Sequence, residues 1–237
     1  MPEAKKIALV TGGSRGLGRS TVEALAKRGV SLIFTYHTNK PAADEVVRNV
    51  ERSGARAVAL QLDTSKTQAF PSFVDEIRHI LPKWDAERLD YLVNMAGTSH
   101  SGLFGEVTEA DFDAAYNIHV KGPFFLTQAL LPLIADGGRI VNISSGLTRF
   151  TFPGRIVYAA MKGAVEVMSH YMAKELGLRR IAVNTVAPGA IQTDFSGGVV
   201  RDNPDIARHI AMIASLLSED NRWINAQRIE VSGGQAI

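Results

Sequence analysis

The chain has 237 residues, with 26 Lys and Arg against 24 Asp and Glu and a formal net charge of +2, a length that suits one large α/β domain or two smaller ones. The absence of cysteine excludes disulfide frameworks, thiolate metal sites and cysteine nucleophiles, and the near-neutral charge argues against a nucleic-acid partner held by electrostatics. No run reaches about 18 apolar residues, and the first residues lack the apolar core of a signal peptide, so a soluble cytoplasmic protein without a membrane partner is expected.

Short apolar runs recur at Ile7–Val10, Leu32–Tyr36, Ala57–Leu62, Tyr91–Met95, Ile140–Ile143, Ile181–Val186 and Ile229–Val231. Most are apolar at consecutive positions rather than alternating, as in strands buried on both faces. Between them, Leu17–Arg28 and Ala43–Arg52 have helical spacing and stop at Gly29 and Gly54. Alternating β and α segments predict an α/β fold, a doubly wound parallel sheet of about seven strands with helices on both faces, formed as one domain over 1–237. In such a sheet ligands lie beyond the carboxyl ends of the strands.

The first strand runs into Thr11-Gly12-Gly13-Ser14-Arg15-Gly16-Leu17-Gly18, after which a helix begins. Glycines let the backbone approach a pyrophosphate, and the helix N-terminus offers free N–H groups and a positive dipole end. A plain Gly-rich turn is the competing reading. Past the second strand, Tyr36-His37-Thr38-Asn39-Lys40 supplies no carboxylate for a ribose hydroxyl. Arg15, His37 and Lys40 either pair with a 2′-phosphate or are solvated surface groups, and this composition favours NADP(H) over NAD. Asp63, after the third strand, accepts from an adenine amino group or caps the following helix.

The run Arg139–Ile143 ends in Ser144-Ser145; Tyr158 follows, and Lys162 lies one helical turn further on, on the same face as Tyr158. The ammonium is expected to draw the phenol pKa from about 10 toward neutrality. Tyr158 then serves as general acid/base at a carbonyl oxygen that Ser145 also holds, while hydride moves to or from a nicotinamide. A second Tyr-x-x-x-Lys, Tyr36 to Lys40, has no matching serine, and Pro41 is expected to disfavour helix at Lys40.

Together these residues resemble the short-chain dehydrogenase/reductase family, with its Rossmann-like fold, over nearly the whole chain. Thr11–Gly18 is similar to the family's Thr-Gly-x-x-x-Gly-x-Gly loop, Asn94-Met95-Ala96-Gly97 to its Asn-Asn-Ala-Gly motif, and Ser145, Tyr158 and Lys162 to its catalytic triad. Pro188-Gly189 and Ile191-Gln192-Thr193-Asp194 look like its segments bordering the nicotinamide carboxamide. The resemblance implies cofactor contacts from Gly12, Ser14, Arg15, Gly16, Leu17, Gly18, Tyr36, His37, Asp63, Asn94, Ala96, Gly97, Tyr158, Lys162, Pro188, Gly189, Ile191 and Thr193. It implies no metal, a small-molecule carbonyl or alcohol substrate, and a homodimer or homotetramer built on helices over Lys121–Ile134 and Tyr158–Leu176.

Four features depart from the family pattern. Met95 replaces the second Asn of its motif. His119 stands where the family places a catalytic Asn, so His119 is the candidate fourth catalytic residue, with Asn117 as the minor alternative and helix packing as the bland one. Asn225-Ala226-Gln227 replaces Thr-Gly-Gln, and the substrate lid around 194–217 is short or incomplete. Thr98–Ser101, Thr148–Phe152, Ala190 and Phe195 are expected to wall the substrate, with Arg149 or Arg155 as solvated groups or attractors of an acidic one. The leading function is an NADPH-dependent carbonyl reductase or alcohol dehydrogenase. The alternative is a catalytically silent NADP-binding regulator or scaffold. Enoyl reduction is disfavoured, because that branch resembles Tyr-x6-Lys.

Overall fold

The computed structural model describes residues 6–189 and 211–232, with the backbone alone at 211. Seven strands, β1 (Ile7–Val10), β2 (Ser31–Tyr36), β3 (Ala57–Gln61), β4 (Leu89–Asn94), β5 (Ile134–Ile143), β6 (Ala182–Pro188) and β7 (Arg228–Val231), form one sheet in the order β3-β2-β1-β4-β5-β6-β7. Every neighbouring pair is parallel. The helices are α1 (Gly16–Ala26), α2 (Lys40–Arg52), α3 (Phe70–Ile80), α4 (Glu109–Tyr116), α5 (Gly122–Leu130), α6 (Ile156–Glu175) and α7 (Ala211–Leu216). One core joins Val22 and Leu25 of α1, Val46 and Val50 of α2 and Ile213 of α7 to one face of the sheet. The other joins Phe73 and Ile77 of α3, Leu126 and Leu130 of α5 and Ala173 of α6 to the opposite face. Along β1, Ala8 and Val10 enter the first core, and Ile7 and Leu9 the second. Pleating with both faces covered is why these strands read as unbroken apolar runs. Among the described residues no helix is long and apolar enough to cross a membrane.

The largest departures from the expected boundaries are at α5, β5 and α2. The helix expected over Lys121–Ile134 ends at Leu130, passes through a tight turn at Leu131–Leu133, and becomes β5 at Ile134. Pro132 supplies no N–H to continue the helix. The early part of β5 was hidden by the exposed, non-apolar Asp136-Gly137 pair, where the pairing register with β4 also shifts. Lys40 does start a helix: Asn39 caps α2 by accepting from the Ala42 N–H at 3.0 Å, and Pro41 sits in the first turn, where a missing N–H costs nothing. The Tyr36–Lys40 pair is still split between a strand and a helix. The chain winds one way from β1 to β3 and the other way from β4, so the crevice opens beyond the carboxyl ends of β1 and β4.

Candidate active site

At that crevice the Thr11 hydroxyl accepts from the Met95 and Ala96 N–H groups at 2.9 and 3.0 Å, fastening the loop after β1 to the one after β4. The Gly12 and Gly13 N–H groups donate to the Thr35 hydroxyl and carbonyl at 3.0 and 2.8 Å. Gly12 has φ +69°, and a Cβ at Gly18 would lie 2.1 Å from the Gly12 oxygen, so α1 can start against this loop only with glycine there. Helix α1 begins with no side-chain cap and no acid in its first turn. Its unpartnered N–H groups and the exposed Arg15, whose guanidinium has no partner among the described residues, therefore suit a phosphate group. Ser14 is buried in the loop, and Leu17 is half-buried beside Gly16. Tyr36 closes β2 inside the first core. His37 stands 3.8 Å from Asp63, while Lys40 turns along its own helix to Asp44 at 2.8 Å. Asp63 accepts from the Ser65 N–H and hydroxyl at 2.9 and 2.7 Å; partial burial opposes its ionisation, but these bonds and His37 hold its pKa below the usual carboxylate range.

The Asn94 side chain faces inward instead of toward the crevice. Its amide donates to Thr127 at 3.0 Å and Asn142 at 2.8 Å, and Asn142 donates to Ser169 at 2.8 Å. This buried chain ties α5, β4, β5 and α6 together, so Asn94 acts on the crevice only through the backbone of Met95-Ala96-Gly97. Met95 receives a weak contact from the Thr21 hydroxyl at 4.0 Å. Pro188 ends β6 at the same rim, and the following Gly189 donates to Val231 at 3.1 Å. Ala190, Ile191, Thr193, Phe195 and most of the expected lid lie outside the described residues.

Strand β5 delivers Ser145 to this rim, and the first turns of α6 deliver Tyr158 and Lys162. The Ser145 hydroxyl accepts from the Leu147 N–H at 3.2 Å and is hydrogen-bonded to the Tyr158 phenol. Lys162 donates to the Ile143 carbonyl at 2.8 Å, with its ammonium 5.5 Å from the centre of the Tyr158 ring. The expected direction of the phenol shift is overturned: burial pushes Tyr158 up to about 12, and the Arg155 charge and the Ser145 bond only partly offset it. The ammonium is aimed at a backbone carbonyl rather than the phenol oxygen, and burial brings Lys162 itself down to about 8. Tyr158 is thus a proton-bearing phenol at neutral pH, the form a general acid requires.

A π-type turn, Asn117–Lys121, interrupts the helical path between α4 and α5 and sets His119 inward. Its ring lies edge-to-face on Tyr158, centroids 5.2 Å apart, with His100 on its other side at 5.8 Å. Nε2 meets the Thr98 carbonyl at 2.8 Å, which assigns the proton to Nε2 and leaves the buried Nδ1 lone pair without a partner among the described residues. A Cβ at Gly97 would come 2.8 Å from this ring, so His119 also dictates glycine at the end of the β4 motif. Arg155 stitches the two rim loops by donating to Ser101 at 2.7 Å, and Gly102 donates to Gly154 at 3.0 Å. Arg149 forms a two-point pair with Glu230, its Nε and Nη2 at 2.8 and 2.7 Å. Both arginines are engaged with protein partners. Among the described residues no cluster of His, Asp or Glu could hold a metal ion.

The expected site leaves out Glu166 and Arg228, which together with Thr148 surround the Ser145 backbone. Glu166 lies one helical turn beyond Lys162, a spacing that could have revealed it. Arg228 is 83 residues from Ser145, and no local pattern joins them.

The short chain dehydrogenase family matches residues 6–204. A hydroxynaphthalene reductase-like protein of Metarhizium brunneum is 33% identical over 262 residues, covering 98% of this chain and 95% of its own. The structure of the promiscuous reductase LugOII, which catalyses keto-reduction at C1 during lugdunomycin biosynthesis, superposes with a TM-score of 0.90 at 35% identity, covering 98% of both chains. The landomycin C-6 ketoreductase LanV, solved with NADP and rabelomycin, gives a TM-score of 0.88 at 38% identity, covering 97% of this chain and 95% of that one.

Proposed function

The chain belongs to the short chain dehydrogenase family, and from that premise we propose that it is an NADPH-dependent ketoreductase for a planar, polycyclic aromatic ketone or quinone, with Tyr158 as general acid. The observation that carries this reading is the buried, protonated Tyr158 phenol, hydrogen-bonded to Ser145 and close to the Lys162 ammonium. The loop Gly12–Gly18, the uncapped start of α1 and Arg15 suit the phosphates of the cofactor, and Ala96, Gly97, Pro188 and Gly189 line the path to the reacting end. When bound, NADPH supplies the hydride. As charge gathers on the substrate oxygen, Ser145 donates a hydrogen bond to it and Tyr158 transfers its proton. The phenolate left behind is stabilised by Lys162, and a proton from solvent restores the phenol. The aromatic substrate class draws on the relatives' ketoreductions and on Leu103, Phe104 and Phe152, large apolar side chains exposed on the two rim loops.

The test is consumption of reduced nicotinamide with phenanthrenequinone, α-tetralone and an aliphatic ketone. NADPH with the aromatic substrates is expected to give the fastest turnover. Tyr158→Phe is expected to lower kcat by roughly 10²–10⁴-fold, with NADPH binding almost unchanged. Wild-type rates in that variant would refute the role of Tyr158; equal use of NADH would refute the cofactor preference. NADPH binding without turnover of any ketone would instead favour a silent, nucleotide-binding scaffold.

A further inference from the structure

We propose that Arg228 is a positioning residue that acts on the reaction by holding the Ser145 carbonyl, with Glu166 and Glu230 setting its guanidinium. This inference rests on the hydride-transfer reading of Ser145. Alternation along β7 places Arg228 and Glu230 on the same face of the strand, and Arg228 Nη1 meets Glu230 Oε2 at 3.2 Å. From α6, Glu166 reaches the same place and accepts Arg228 Nε at 2.7 Å. The pair is mostly buried, with 22% of the Arg228 side chain and 18% of the Glu166 side chain exposed. The remaining fork nitrogen, Nη2, donates to the Ser145 carbonyl and to the Thr148 hydroxyl, both at 3.2 Å.

Counting protons gives this contact its weight. Thr148 Oγ1 lies 3.0 Å from the Ser145 carbonyl and 2.8 Å from the Glu166 carboxylate, but a hydroxyl has one proton to donate. The shorter bond to a carboxylate is the stronger, so the proton goes to Glu166. Among the described residues, Arg228 Nη2 is then the side-chain donor left for the Ser145 carbonyl, which also accepts the Thr148 N–H at 3.3 Å. The same charges grip both ends of the turn that carries the serine. Ser144 donates to Glu166 at 2.5 Å on one side, and Arg149 pairs with Glu230 on the other. Two cations and two carboxylates therefore connect β7 and α6 to residues 144–149. Lysine offers no planar fork and cannot serve Glu166, Glu230 and the carbonyl together.

A double-mutant cycle tests the assignment with NADPH and phenanthrenequinone. Arg228→Met is expected to lower kcat by roughly tenfold to hundredfold, the scale of a misplaced catalytic group, while KM for NADPH changes less than about twofold. Arg228→Lys, which keeps the charge, is expected to lose kcat in the same direction by a smaller factor. In a Ser145→Ala background, Arg228→Met should cost less than about twofold, because the group it positions is gone. Ser145→Ala at the wild-type rate would overturn both this inference and the reading beneath it. A slow Ser145→Ala enzyme beside Arg228 variants at the wild-type rate would overturn the inference alone. An Arg228→Met loss that persists undiminished in the Ser145→Ala background would do the same, and the arginine would then be a fold residue. Thermal unfolding of each variant separates loss of the native state from loss of kcat.

Discussion

Burial, reinforced by the Lys162 ammonium, pushes the His119 imidazole down to about 2, far below the range in which a free histidine titrates. The bond to the Thr98 carbonyl opposes this shift but does not overcome it. In the unfolded chain His119 takes up a proton as pH falls through about 6.5, whereas the folded protein refuses that proton until about pH 2. The unfolded state thus binds more protons across this window, and folding stability falls as pH drops below about 6.5, with a limiting slope near 1.4 kcal/mol per pH unit from this group. His119→Asn is therefore expected to flatten the loss of stability between about pH 7 and pH 5, measured by urea unfolding. Identical pH slopes for the two proteins would show that His119 is not held neutral. The same neutrality means that His119 contributes no proton-transfer step with an inflection near pH 6. In the proposed reaction the acid is Tyr158, whose pKa of about 12 keeps it protonated throughout that range.

Between elements, the chain Thr127–Asn94–Asn142–Ser169 threads polar groups through the second core, where each is buried. Asn142 is its hinge, accepting from β4 and donating to α6. Asn142→Leu fills a similar volume but leaves the Ser169 oxygen without its donor and the Asn94 amide without one acceptor. It is expected to destabilise the fold by about 2–4 kcal/mol, the cost of stranded buried groups, with NADPH affinity little changed. An unchanged urea midpoint would contradict the account. Nothing in the local sequence announces this chain, because Asn94 reads as a crevice residue until its side chain is seen pointing inward. Strands and the Tyr158–Lys162 pair were legible for the opposite reason: burial on both faces writes consecutive apolar runs, and one helical turn writes a fixed spacing. The Tyr158 shift runs opposite to the expected one because spacing shows the nearby ammonium but not the burial that outweighs it.

At the scale of the whole molecule, α6 shows how a helix can face two surroundings. Val165, Ser169 and Ala173 turn to the sheet and are buried, whereas Ile156, Val167 and Tyr171 are exposed, Tyr171 at 68%. Phe124 and Phe125 of α5 and Phe112 and Tyr116 of α4 are exposed as well. Side chains of this size scattered singly over a surface need no explanation, but several on adjoining helices suit contact with another protein surface. A second copy of the chain supplies a matching surface by two-fold symmetry, since an isologous contact sets the same patch against itself. We therefore propose a homodimer, or a homotetramer that contains this dimer, with α6 at its centre. Light scattering behind size exclusion at micromolar concentration is expected to give a multiple of the 25.6 kDa chain mass. Val167→Glu with Tyr171→Glu should reduce it to one chain, because two charges per protomer would be desolvated opposite their own copies. These positions face away from Ser145, Tyr158 and Lys162, so NADPH binding should survive in the separated chains. A wild-type protein that elutes as a monomer, or a double variant that keeps the wild-type mass, would remove α6 from the interface.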